Sequence, residues 1–189
     1  MTTPEIFNRI WEKGRYREGS TALRLLPFLR EHIMAGSVVN DYGSGTGRAE
    51  PGLLEFCRRV NMVDFADLAL EDESRALIGE RLTFTLAALE SLPGDFPTAD
   101  WGICINVLML VDPAKLDDIL FGIRRTCRKL IVELYDATDV RLGEDRTLIK
   151  EGPDWWVKKL AEYWPAVEFI QSPEHVHRYI FICNGGKTL

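Results

Sequence analysis

The chain has 189 residues, is 46% apolar, and carries a net charge of −6 with a pI near 5.2. That length buries about 70% of its unfolded surface as one domain, and the acidic balance argues against a surface built as a whole to hold nucleic acid. No run of eighteen apolar residues occurs, and Met1–Ile10 carries Glu5 and Arg9 where a signal peptide would be apolar, so the expectation is a cytoplasmic single domain without a membrane span.

The first thirty residues hold six basic groups (Arg9, Lys13, Arg15, Arg17, Arg24, Arg30) against three acids, with Phe7, Trp11 and Tyr16 interleaved. Two readings stand: a helix with a solvated face, or a cap over a ligand pocket in which Trp11 and Tyr16 cover the ligand while Arg15 or Arg17 meets an anionic group. Ser20 or Thr21 then N-caps a segment with apolar positions Ala22, Leu25, Leu26, Leu29 and Ile33, closed by Gly36, with Pro27 as a possible kink. The domain divides into a helical cap over 1–36 and a core over 37–189. The four cysteines, Cys57, Cys104, Cys127 and Cys183, are widely spaced in apolar contexts, which reads as buried free thiols.

Val38-Val39-Asn40-Asp41-Tyr42-Gly43-Ser44-Gly45-Thr46-Gly47 is the organising stretch: an apolar strand end, an acid, then glycine at three alternate positions. Such a backbone turns sharply and approaches a ligand closely, with its amides aimed outward and Asp41 as a fixed negative charge. A dinucleotide fingerprint does not fit, because Arg48 or Glu50 stands where the third glycine belongs. The Gly186-Lys187-Thr188 tripeptide lacks the leading glycine of a P-loop, since Phe181 is in that place.

A helix is expected from Gly47 to about Arg59, although Pro51-Gly52 can delay its start. A second strand, Val60 to Asp64, ends in an acid seventeen residues past Gly47, and Asp67 caps a helix Leu68 to Ile78 that Gly79 stops. Leu82 to Ala87 alternates as a third strand and leads into Ala88-Leu89-Glu90-Ser91-Leu92-Pro93. Asp100 to Leu108 is a buried fourth strand reaching polar Asn106 at its end. Asp112-Pro113 opens a helix with apolar Leu116, Ile119, Leu120, Ile123 and Cys127, whose basic end (Arg124, Arg125, Arg128, Lys129) reads as a solvated face matched to the helix dipole. Leu130 to Leu134 is a fifth strand near Glu133, Tyr135 and Asp136. Ala137 to Lys150 is a candidate substrate loop, and a helix Pro153 to Tyr163 precedes two antiparallel strands, Val167 to Gln171 and Val176 to Cys183.

The pattern D-x-G-x-G-x-G after a strand, the acid at the second strand end and the acidic loop before Leu92-Pro93 together resemble the class I S-adenosylmethionine (SAM)-dependent methyltransferases. The resemblance covers about Val38 through Cys183. It implies an α/β fold: a doubly wound, seven-stranded, mostly parallel sheet with helices on both faces and an antiparallel terminal hairpin. It further implies SAM as cofactor and S-adenosylhomocysteine as product. Gly43, Gly45 and Gly47 would flank the cofactor, Asp41 lie near its amino acid tail, and Asp64, beside Phe65, accept from the ribose hydroxyls. Glu90 would accept from the adenine amino group with the Ser91 backbone nearby, and Asn106 would lie beside the transferred methyl.

Trp11, Tyr16 and Arg17 complete the cofactor set as the cap. Glu133, Asp136, His175 and His177 are candidate bases, with Glu133 and His175 favoured and Asn106 as orienting group. No metal is expected. The Asn106-Val107-Leu108-Met109 run stands where enzymes acting on nucleic-acid amino groups carry Pro-Pro-aromatic, so the expected partner is a small-molecule acceptor and nucleic acid is disfavoured. A SAM-binding module without turnover and a nucleotide-linked dehydrogenase are the competing readings.

Overall fold

The structure is a computed structural model and describes residues 21–135, 148–172 and 177–185. Its elements, in chain order, are α1 Thr21–His32, β1 Val38–Tyr42, α2 Glu50–Leu54, β2 Arg59–Asp64, α3 Asp72–Ala76, β3 Leu82–Leu86, β4 Ala99–Ile105, α4 Leu116–Thr126, β5 Cys127–Tyr135, α5 Pro153–Ala161, β6 Ala166–Gln171 and β7 Arg178–Asn184. The strands form one sheet in the order β3-β2-β1-β4-β5-β7-β6. β1 through β5 pair in parallel, while β7 runs antiparallel to both β5 and β6. This is the doubly wound sheet with a terminal hairpin that the strand pattern implies.

Burial on both faces makes residues 101–105 of β4 and 130–132 of β5 apolar throughout, as parallel sheets require, while the equally buried β1 and β2 carry Asn40, Asp41 and Asn61 among their apolar residues. One face packs Leu25 and Leu29 of α1, Ile33 just after it, and Leu53 of α2 onto Val39, Ile103, Ile131 and Ile180. The other packs Leu120 and Ile123 of α4 and Trp156 and Leu160 of α5 onto Tyr42, Leu130 and Phe181. All four cysteines are buried and free. α1 continues through Pro27, which stands on its exposed side.

Polar residues inside this core are cross-bonded. Asn61 donates to Asn40 Oδ1 (2.8 Å), Asn40 donates to the carbonyls of Pro97 (2.8 Å) and Thr126 (3.0 Å), and Tyr42 Oη lies 2.7 Å from Thr126 Oγ1. The network fastens β1 to β2 and to the junction of α4 with β5, so the buried amides keep their hydrogen bonds.

Several elements depart from expectation. The helix after the glycine loop spans only Glu50–Leu54, because Gly52 offers little helical support and its bare Cα is where Leu26 of α1 rests. In place of one helix over 68–78 there is a 3₁₀ turn, Asp67–Ala69, and the short α3; Asp67 makes no side-chain cap. Of the four basic residues expected on a solvated face, Arg128 and Lys129 are exposed but belong to β5, whereas Arg124 is buried and donates to the carbonyl of Tyr163 (3.1 Å) and Arg125 donates to those of Gly94 (2.9 Å) and Pro93 (3.1 Å). These two guanidiniums serve carbonyls at the turns that surround the helix end.

α1 belongs to the hydrophobic core. Leu29→Ala should therefore cost about 3 kcal/mol by removing a fully buried side chain, read as a lower denaturant midpoint at unchanged m.

Candidate functional site

Parallel register brings the carboxyl ends of β1, β2 and β4 level: Asp41 lies opposite Met62 on one side and Ile103 on the other. The residues that follow, Tyr42 to Gly47, Asp64 to Ala66, and Asn106 to Val107, therefore converge at one edge of the sheet. Gly43, Gly45 and Gly47 have φ of +79°, +54° and +70°. A side chain at Gly43 would collide with Val107, and one at Gly47 would meet Leu70 Cδ1 at 2.5 Å, so the crowded loop excludes Cβ atoms there.

The loop's amides are not left pointing outward. Gly43 and Ser44 donate to the carbonyl of Val63 (2.8 and 3.2 Å), Gly47 to that of Ser44 (3.1 Å), and Gly45 to Asp64 Oδ2 (2.9 Å). Asp64 Oδ1 accepts from the Ala66 amide (2.8 Å). Ser74 Oγ donates to the Gly47 carbonyl (2.6 Å) and the Glu71 amide to that of Thr46 (2.9 Å). The glycine turn is thus braced by its own neighbours, and what it offers a ligand is a close, side-chain-free surface.

Burial pushes the Asp64 carboxyl up, while the amides of Gly45, Ala66 and Phe65 pull it back down. Gly45 holds Oδ2 and Ala66 holds Oδ1, and the Phe65 amide adds a third backbone donor to the same carboxyl. Phe65 beside it is half-buried.

Asp41 is 3% exposed, and Glu50, the first residue of α2, is fully buried with neither carboxyl oxygen in a hydrogen bond of normal geometry. Burial, and then the charge of Glu50, raise Asp41 well above the usual carboxylate range; burial raises Glu50 as well. Two adjoining buried carboxyls cannot both ionise cheaply, so the pair retains a proton. The expected fixed negative charge at Asp41 is corrected accordingly. Sequence reasoning used Glu50 only to reject a dinucleotide motif; an acid directly after the loop was the available signal.

Asn106 ends β4 with φ +59°, in the left-handed region that asparagine tolerates best among residues with a side chain. Its amide donates to the Glu133 carbonyl (2.8 Å) and its Nδ2 to Glu133 Oε2 (3.0 Å). Glu133 is fully buried; its Oε1 accepts from Arg24 Nη2 at 3.2 Å, and Arg178 Nη1 lies 3.7 Å away. Glu133, expected as a candidate base, thus stands as a carboxylate facing two guanidiniums and bonded to the Asn106 side chain, which it positions.

Glu90 is exposed on a 3₁₀ turn, Leu89–Ser91, at the same sheet edge. The Ser91 amide is spent on the Ala88 carbonyl (3.0 Å), which closes that turn. Trp11, Tyr16, Arg17, Asp136 and His175 lie outside the described residues; His177 is half-buried. Among the described residues no group of three metal-ligating side chains converges, and no helix is long and apolar enough to cross a membrane. A separate cleft of about 540 Å³, lined in part by Arg58, Arg59 and Arg81, opens at the amino ends of the strands, across the sheet from this site.

No protein-family model matches the sequence, and no curated protein does. Solved structures do match. The DhpI–SAM–HEP complex superposes with a TM-score of 0.72 at 14% identity, over 98% of this chain and 100% of that one. The Burkholderia thailandensis 1,6-didemethyltoxoflavin-N1-methyltransferase with bound 1,6-didemethyltoxoflavin and S-adenosylhomocysteine gives 0.71 at 17%, over 96% and 89%. Magnesium protoporphyrin IX methyltransferase from Synechocystis PCC 6803 with bound S-adenosylhomocysteine gives 0.64 at 16%, over 90% and 84%. This chain has the class I methyltransferase fold.

Two outcomes follow from the geometry. Because folding raises the Asp41 carboxyl, the native chain holds that proton more tightly than the unfolded chain. The resulting stability is complete below the ordinary carboxylate range and is lost as pH rises through the raised folded value. D41N should therefore flatten the pH profile above about pH 4 and melt higher than the parent near neutrality in thermal scans. Glu133→Ala, which strips the shared carboxylate from Arg24 and Arg178, should cost about 3 to 5 kcal/mol in chemical denaturation.

Proposed function

We propose that this chain is a SAM-dependent methyltransferase acting on a small molecule. The observation that carries the reading is the braced glycine turn itself: three positive-φ glycines at the carboxyl end of β1, tied through Gly45 to Asp64. Its setting is a fold shared with methyltransferases crystallised with SAM or S-adenosylhomocysteine.

The residues present fit such a cofactor. Asp64, at the end of β2, is placed to accept from the ribose hydroxyls, and its orientation is fixed beforehand by the backbone amides of Gly45, Ala66 and Phe65. Phe65 offers an aromatic edge beside the sugar, and Glu90 is exposed to accept from the adenine amino group. The Asp41–Glu50 pair supplies buried carboxyl oxygens, those of Glu50 in no hydrogen bond of normal geometry, matched to a cationic amino acid tail. Asn106, locked in the left-handed conformation by Glu133, orients the acceptor with its side chain.

When bound, the cofactor supplies an activated methyl group: the acceptor atom bonds to the methyl carbon as the carbon–sulfur bond breaks, its electron pair passing to the sulfonium sulfur. The chain's own contribution is alignment and the exclusion of water, and an acceptor proton, where there is one, leaves to solvent or to a base outside the Glu133 cluster. The commitment of Glu133 favours one second reading, a SAM-binding module without turnover.

Calorimetry with SAM and S-adenosylhomocysteine decides the cofactor, and release of S-adenosylhomocysteine in an acceptor screen decides between the two readings. Asp64→Ala should weaken SAM by about tenfold to a hundredfold, the loss of one to two hydrogen bonds to a charged group. Unchanged affinity in that variant, or no binding by the parent chain, refutes the assignment.

A further inference from the structure

Among the described residues, two guanidiniums, those of Arg24 and Arg178, meet at the buried carboxylate of Glu133, and its short contacts go to Arg24 and Asn106. Arg178 is left with the long contact of 3.7 Å, which is an ion pair without a hydrogen bond. It is only 3% exposed, yet its Nε and Nη1 have no hydrogen-bond partner. The ring of Tyr135 lies against it, 4.3 Å from Cζ to centroid, and fixes the guanidinium plane.

A sheltered guanidinium with donors unspent is costly in a chain free to pair it, and burial already lowers its pKa to about 10. The position matters as much as the charge. Arg178 opens β7 opposite Tyr135, at the carboxyl end of β5, and β5 is the one strand that stands between it and Asn106. That edge is where a parallel sheet of this kind receives its ligands.

We propose that the methyl acceptor is an anion and that Arg178 receives its oxyanion, a carboxylate or a phosphate, holding the acceptor beside Asn106. This rests on the methyltransferase reading of the same edge. The planar fork of arginine matches either oxyanion, and shelter from water makes the pair selective: a neutral analogue leaves the guanidinium as poorly paired as before. Arg178 is thus a specificity-determining residue, and Glu133 holds it and Asn106 in fixed relation.

The test uses the full chain saturated with S-adenosylhomocysteine, whose own affinity is measured first by calorimetry. A panel of small carboxylic acids, their carboxamides, and phosphate monoesters is scored by the shift in unfolding midpoint, and hits are titrated. Acids or phosphate esters should raise the midpoint where the matched carboxamides do not, the two arms telling which oxyanion is preferred. R178M should weaken those hits at least about tenfold and R178K recover part of the loss, with S-adenosylhomocysteine affinity within about twofold of the parent in both. Glu133 keeps Arg24 and Asn106 in R178M, so that variant is expected to fold; if it does not, the acid–carboxamide contrast in the parent chain decides alone. Carboxamides binding as well as acids, a panel in which no oxyanion shifts the midpoint, or a folded R178M that binds the acid as tightly as the parent overturns the proposal and leaves cofactor binding standing. A parent chain that does not bind S-adenosylhomocysteine overturns the methyltransferase reading instead.

Discussion

The carboxylate of Asp64, held between the amides of Gly45 and Ala66, is the constraint on which the site depends. It joins the end of β2 to the turn after β1, and so sets how far the glycine loop stands from the neighbouring strand. The remaining loop bonds, to Val63, Ser44 and Ser74, extend the same brace. A turn this short of side chains has little of its own to hold it, and these contacts offset the conformational freedom that three glycines bring.

Burial sets the character of Asp41, Glu50, Asp64 and Glu133, and the partner decides the outcome. Asp64 is compensated by backbone amides, Glu133 by guanidiniums and an amide, and Asp41 and Glu50 have mainly each other. The three solutions differ in consequence. The first yields a rigid acceptor of hydrogen bonds, the second a structural anchor, and the third a pair that holds a proton more tightly than carboxyls in water do. Side chains that look alike in sequence thus divide into different roles according to what the fold places against them.

The glycine turn, the acid at the end of β2 and the polar residue after β4 were legible because each rests on local chemistry. Glycine suits a positive φ at each of three alternate positions, and an acid at a strand end is a short-range signal. The sheet was legible for a related reason, since strands buried on both faces show as apolar runs. Helix lengths around Gly52 and Asp67 were misjudged because packing by Leu26 and the brace to Thr46 override propensity there. The basic end of α4 was misread because its carbonyl acceptors, in Pro93, Gly94 and Tyr163, stand about thirty to forty residues away.

Sequence by itself determined the fold class and the strand ends at which a ligand would sit, because apolar periodicity and glycine spacing are properties of neighbouring residues. Only the tertiary structure decided what the charges do. Arg24 of α1, Glu133 of β5 and Arg178 of β7 are far apart along the chain, and Glu50 reaches Asp41 only once the turn has closed. Pairing and desolvation depend on distances in space, which no spacing along the chain contains.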